Sequence, residues 1–235
     1  MAGTPSQLPQ LQAGIGWTGR LPNPPSPSIE SDFIATLFTH LAPSKADFIK
    51  AANLTYYSEG GEHTAYLDAQ RINVIKITKY TSGYTFGFTD DGAGLAAVFA
   101  TPREYLRRID ITNEIFEDTI KILGIIPTGE HSWAIVHSQT YYGNTRPSPK
   151  EIHRYMRSLG FQRVNPEIIA GFTKGAPTYY HKAKNVLSGD CKPDNFRVLK
   201  SGTPIPIDVI SVQPKNGVLK MVLANLFPPP LPNSY

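Results

Sequence analysis

One carboxylate constrains this chain more than any other feature. Asp208 sits between apolar neighbours in "PIPIDVI" (204–210). A charge buried there without a partner is costly, so something in the fold should compensate it. A metal ion is one candidate. Just upstream, "GDCKPDN" (189–195) crowds Asp190, Lys192 and Asn195 into one tight bend that Pro193 stiffens. The intervening "FRVLKSGTPIPI" has the length of two short strands with a turn at Ser201-Gly202. Such a hairpin returns Asp208 to Asn195, so that two metal-ligand oxygens converge. The spacing therefore predicts a magnesium site at the end of a hairpin.

Phosphoryl transfer asks little else of a protein. It needs a carboxylate at the acceptor hydroxyl, oxygen ligands for magnesium, a cation on the donor phosphates and a backbone lid over them. Asp190 has the chemistry to orient or deprotonate a hydroxyl. Lys192 has the charge to neutralise the transferred group. Asn195 offers a neutral oxygen to a hard cation and Asp208 a charged one. Asp190 and Asn195 also keep the catalytic-loop spacing D-x-x-x-x-N.

The rest of the chain reads as a scaffold. Residues 1–29 and 227–235 are Pro-rich extensions, extended and expected at the surface, with Ile15 and Trp17 as the large apolar residues of the first. Apolar spacing predicts helices over 31–42 and 43–53. Strands are expected at 53–57, 64–69 and 73–78, and a loop or hairpin over 81–94. The strongest helical signal spans 101–123, where Thr101, Pro102 and Glu104 form a capping-box start. A buried strand follows at 132–139 and a helix at 148–161, closed by Gly160. Residues 179–210 read as strand, loop, strand, turn, strand. Without a regular βαβ alternation the fold class is α+β.

Several function classes fall away. No apolar stretch approaches 18 residues, which argues against a membrane span. The first residues lack a basic start followed by an apolar run, so no secretory leader is expected. The lone Cys191 permits no internal disulfide and suits a reducing, cytoplasmic setting. Beside Asp190 it reads as a small packed residue rather than a nucleophile. His63, His131, His137, His153 and His181 show no zinc-ligand spacing. The formal charge of +4 suits an anionic partner. Eight Lys or Arg against three Asp between Lys174 and Lys220 allow a nucleic-acid face, with Tyr179, Tyr180 and Phe196 for stacking. No recognised nucleic-acid motif accompanies them, so that partner is not favoured.

Taken in order, "EGGEHTAYLD", "VIKIT", "EYLRRIDITNEIF", "GDCKPDN" and "PIDV" resemble the protein-kinase-like superfamily. The resemblance is to the kinase domain found in polyvalent proteins of phages and mobile elements, and it runs from about 54 to 212. It implies a kinase-like α+β fold: an antiparallel N-lobe sheet with one main helix within 30–137, and a reduced C-lobe within 138–226. It implies ATP and magnesium as cofactors and an unidentified hydroxyl acceptor, protein or small molecule. Gly60 and Gly61 would sit in the nucleotide-covering loop, where missing side chains let backbone N–H groups approach phosphates. An ordinary hairpin turn explains the same pair equally well. Lys76 would pair the donor phosphates, and Ser138 and Gln139 would lie nearest the base. Asp190 would be the base, with Asn195 and Asp208 as metal ligands. The family's lysine-fixing helix glutamate falls on Glu104 or Glu114.

The pattern also departs from that family. "EGGEHT" lacks G-x-G-x-x-G spacing, Ser188 and Gly189 precede the catalytic aspartate, and Val209 and Ile210 replace the usual phenylalanine and glycine. Those departures keep open a catalytically weak kinase-like binding module, and the basic stretch from Lys174 to Lys220 keeps open a nucleic-acid-binding protein.

Overall fold

The computed structural model describes residues 38–79, 88–90, 97–129, 132–165, 176–224 and 226. Both Pro-rich ends, Ile15, Trp17 and most of the helix expected over 31–42 lie outside the described residues.

Period-two alternation builds the first layer. Strands β1 (Thr55–Glu59), β2 (His63–Leu67), β3 (Asn73–Thr78), β6 (Lys121–Gly129) and β7 (Ser132–Thr140) form one sheet in the order β1-β2-β3-β7-β6. All its pairings are antiparallel. In β3, Ile75 and Ile77 point to one face, where they pack with Tyr66, Ala134, Val136 and Phe48 of helix α1 (Lys45–Ala51). Their neighbours Val74 and Lys76 therefore point to the other face. There Ile125 and Ile135 meet Tyr105 and Ile109 of helix α2 (Pro102–Phe116).

Helix α2 starts as the sequence predicts. The Thr101 hydroxyl accepts from the Glu104 N–H, and the Glu104 carboxylate accepts from the Thr101 N–H. It ends sooner than predicted. Glu117 takes a left-handed conformation (φ 53°), and Asn113 exchanges two hydrogen bonds with the backbone of Ile120. Residues 121–123 belong to β6 instead, so the expected helix over 101–123 is corrected at its C-terminal third. The β-branched run of "KILGII" pairs along β7, and that pairing outweighs the helical spacing.

The helix expected over 31–42 is also corrected where it is described. His40 forms a parallel bridge to Ile125, and the Leu41 N–H donates to the Ile125 carbonyl at 2.9 Å. Gly124 makes this approach possible: a Cβ there would lie 2.3 Å from the Thr39 carbonyl oxygen.

Beyond the sheet, β4 (Phe88–Asp90) pairs antiparallel with β5 (Ala97–Phe99), so strand pairing extends past the loop or hairpin expected over 81–94, of which residues other than 88–90 lie outside the described residues. Helix α3 (Pro149–Ser158) carries its own capping box, and Gly160 follows at φ 89°. A second sheet runs β13-β10-β9-β8, from Ile210–Val212, Val186–Gly189, Tyr179–His181 and Gln162–Arg163. The core of this part gathers Ile115 and Phe116 of α2, Met156 of α3, and Tyr179, Val186, Cys191, Phe196 and Val209. A last helix, α4 (Asn216–Ala224), lays Val218 and Val222 on Tyr180, Leu187 and Ile210. Mixed helices and antiparallel sheets agree with the α+β class. Among the described residues no helix is long and apolar enough to cross a membrane.

Candidate functional site

Between β10 and β13 the chain makes the hairpin that the sequence requires. Strands β11 (Phe196–Val198) and β12 (Pro204–Pro206) pair antiparallel, with Gly202 at φ 83° in the turn. At its open end the Ile207 N–H donates to the Asn195 carbonyl at 2.8 Å. The residue before Asp208 is thereby tied to Asn195.

The bend before the hairpin is closed on itself. The Asn195 amide nitrogen donates to both the main-chain oxygen and Oδ2 of Asp190, at 2.8 and 2.7 Å. Lys192 Nζ lies 3.0 Å from Asp190 Oδ1. Asp190 itself adopts φ 55°, an uncommon conformation for a residue with a Cβ. Asp190, Lys192 and Asn195 thus form one cluster.

Lys76 reaches the same place from the sheet. Its ammonium is buried and donates to the Ile207 carbonyl at 2.5 Å. Burial pulls this ammonium below its usual range, against the opposing pull of Asp208 and Asp118. Asp208 lies deep in the cleft, yet 39% of its side-chain surface stays open. Burial alone would raise its carboxyl. Lys76, with Arg108 and Lys192, outweighs that and holds it below the usual carboxylate range.

The cleft is lined by residues that the motifs did not single out. His63 Nε2 lies 2.7 Å from the Tyr105 hydroxyl, which lies 3.1 Å from His137 Nδ1, all three buried. Burial pulls His63 down to about 4 and His137 well below its usual value. At neutral pH His63 is therefore uncharged, and its 3.8 Å contact with Asp208 is no ion pair.

Arg108 of α2 donates from both terminal nitrogens to Glu62, at 2.8 and 2.6 Å, and lies 3.8 Å from Asp208. Glu62 and Asp208 hold this guanidinium above its already high value against the cost of burial. Glu62, His63 and Asp208 stand close enough to share a metal ion, but Arg108 already supplies the positive charge among them. The half-open space lined by His63, Lys76, Tyr105, Arg108, His137 and Asp208 is about 30 Å³, room for a water or an ion rather than a nucleotide.

The remaining expected residues lie apart from this cluster or at its edge. Glu104 caps α2 and pairs with Lys215 at 3.2 Å, and Glu114 lies 3.7 Å from Lys184 on the surface. Neither glutamate is placed against Lys76. Among the described residues the acids whose fields reach Lys76 are Asp208, Asp118 and Glu62. Gly60 and Gly61 occupy the β1–β2 turn, where the Gly60 N–H donates to the His63 carbonyl at 2.9 Å. In β7, Gln139 is opposite Val74 and shares the face of Lys76, whereas Ser138 is opposite Ile75 and points away. The Gln139 amide donates to the buried Asp118, which also accepts from the Tyr142 hydroxyl. Next to Lys76 on that face, Ala65, Leu67 and Val74 form an apolar patch flanked by Tyr57 and Tyr141.

Burial raises the thiol of Cys191, in keeping with a packed and unreactive residue. Tyr179, Tyr180 and Phe196 are buried in the core, so they present no faces for stacking bases.

A family model described as a serine/threonine/tyrosine kinase found in polyvalent proteins matches residues 35–212. No curated protein and no solved structure matches the chain.

Proposed function

The chain belongs to the kinases found in polyvalent proteins, and on that premise we propose that it binds ATP with magnesium and transfers the γ-phosphoryl group to a hydroxyl. A kinase-like phosphotransferase needs a cation, metal-ligand oxygens and an acceptor-side carboxylate around one cleft. The observation that carries the reading is the meeting of Lys76 with the Ile207–Asp208 segment, beside the closed Asp190–Lys192–Asn195 bend.

In this reading the five-stranded sheet with α2 is the nucleotide-covering lobe, and the second sheet with α3 and α4 is a reduced second lobe. The base lies against Ala65, Leu67 and Val74, with the donor phosphates at the mouth of the cleft near Lys76. Asp208 and the amide oxygen of Asn195 are the hard oxygen donors that fit magnesium. The fit rests on the chain itself: Asp208 is kept ionised by surrounding cations, and the Asn195 nitrogen is engaged by Asp190. Bound there, magnesium would supply charge neutralisation on the donor phosphates. Asp190, held by Asn195 and Lys192, orients the acceptor hydroxyl and takes its proton. Lys192 offsets charge on the transferred group.

The test is Asp208→Asn. It should abolish magnesium-dependent ATP turnover while circular dichroism and cooperative unfolding persist. Full turnover in this variant refutes the metal role.

A second reading is a nucleotide-binding module with little catalysis. It is favoured by one observation: neither Glu104 nor Glu114 is placed to hold Lys76. A thermal shift with ATP and magnesium, but no turnover on any hydroxyl acceptor or on water, would select it.

A further inference from the structure

We infer that the Glu62–Arg108 ion pair is a latch: it holds the Gly60–Gly61 turn over the donor phosphates and keeps Asp208 facing a fixed positive charge. The inference rests on the phosphotransfer reading above.

Glu62 follows the two glycines directly and precedes β2. Its carboxylate is buried and takes both nitrogens of the Arg108 fork. Arg108 stands on α2, and its guanidinium lies 3.8 Å from Asp208. One side chain therefore joins three segments: the β1–β2 turn, the main helix and the segment that follows β12.

The glycines show why the turn needs such an anchor. Neither takes the left-handed conformation that favours glycine. A Cβ on Gly61 would meet nothing within 4 Å, and one on Gly60 would only touch the His63 carbonyl at 3.9 Å. Local packing and backbone shape do not call for glycine here. Two bare residues leave room for a group from outside, at the cost of a looser chain. Another ion pair at the turn, Lys79 to Glu59 at 2.6 Å, is partly exposed and weakly restraining. The buried bidentate pair is the stronger restraint.

The charge itself carries a second argument. An apolar pair of similar volume would fasten turn to helix about as well, because desolvating two ions offsets most of their attraction. An apolar pair would not set a positive charge opposite Asp208. The ordinary arrangement expected from the sequence, a helix glutamate against Lys76, is inverted: α2 brings the cation to the cleft and the glycine turn brings the acid.

The experiment uses the full chain with Glu62→Gln and Arg108→Lys. Amide hydrogen exchange of peptides spanning 58–63 is read without nucleotide, and KM for ATP and kcat are read separately. For Glu62→Gln the expected result is turn exchange about tenfold faster and KM raised about tenfold, with kcat within about threefold. Arg108→Lys keeps the charge but gives up the fork, so smaller changes in the same direction are expected. It also carries the measurement should Glu62→Gln fail to fold. Unchanged exchange and unchanged KM in whichever variant folds overturns the latch. Wild-type protein without ATP turnover sinks the phosphotransfer reading instead, while the nucleotide-free exchange still decides whether the pair restrains the turn.

Discussion

The ammonium of Lys76 donates to the carbonyl of Ile207, one residue short of Asp208. A buried cation of the sheet thus grips the backbone of the segment that carries the acid, not a helix glutamate. The same ammonium lies within the field of the Asp208 carboxylate, so the sheet cation and the hairpin acid stabilise each other's charge. The pairing of a buried ammonium with a partly open carboxylate is what makes the site testable by substitution.

Replacing the cation separates binding from folding. Lys76→Met keeps the length of the side chain and removes a costly buried charge, while Asp208 retains exposed surface to rehydrate. Losing one partner of the pair is destabilising, but the open part of Asp208 limits the loss, so unfolding free energy should fall by roughly 1–3 kcal/mol and the fold should persist. The ATP-induced rise in melting temperature should vanish, and turnover should fall at least about 100-fold, or ~2.7 kcal/mol. A variant that binds ATP as the parent does would remove Lys76 from the donor site.

The buried histidines set a pH dependence. His63 is pulled from 6.5 to about 4 and His137 well below 6.5, each mainly by burial. A histidine with a lowered folded value takes up its proton more readily when unfolded. Stability is therefore full above about pH 6.5 and is lost as pH falls through the window toward 4. For His63 alone the loss is on the order of 3 kcal/mol. Urea unfolding at pH 7.5, 5.5 and 4.5 measures it, and His137→Gln should flatten the slope. A flat profile across that window in the parent protein contradicts the burial of both rings.

Glu104 is engaged by the helix cap and by Lys215, which predicts that it takes no part in nucleotide binding. Glu104→Ala removes half the capping box and the contact with Lys215, so stability should drop by about 1 kcal/mol. ATP affinity should be unchanged in isothermal titration. A tenfold weaker affinity would place Glu104 against Lys76 in the bound state.

Gly124 is required by a close approach. In Gly124→Ala the new methyl would lie 2.3 Å from the Thr39 carbonyl and 2.9 Å from the Leu41 side chain. The backbone must shift, at a cost of roughly 1–3 kcal/mol. The melting temperature should fall, and amide exchange at Leu41, whose N–H donates to Ile125, should speed up. An unchanged melting temperature would show that residues 39–41 are not held on β6.

Much of the architecture was legible because its signals are local. The alternation of "NVIKIT" marks β3 to the residue, and the Thr101–Glu104 box marks the start of α2. The turn at Gly202 makes the β11–β12 hairpin, and with it the return of the chain to Asn195. Local signals misled where strand and helix compete. The run after Glu117 has helical spacing and β-branched residues together, and pairing with β7 decided it. Residues 39–41 were likewise drawn into an extended bridge by a glycine far along the chain. Helix α4 carried no signal strong enough to be anticipated; burial against β10 and β13 supports it.

By itself the sequence determined which residue types could do chemistry and the order in which they arrive: a lysine on a buried strand, a crowded Asp–Lys–Asn bend, an acid after a hairpin. Spacing and turn chemistry act over a few residues, so they can be read from the chain alone. Only the tertiary structure decided which charges face one another. It set Arg108 against Glu62, turned Glu104 to Lys215, and gave Lys76 the Ile207 carbonyl. The reason is physical: a buried charge is compensated by whatever polar group the packing brings within reach, and those groups come from distant parts of the chain.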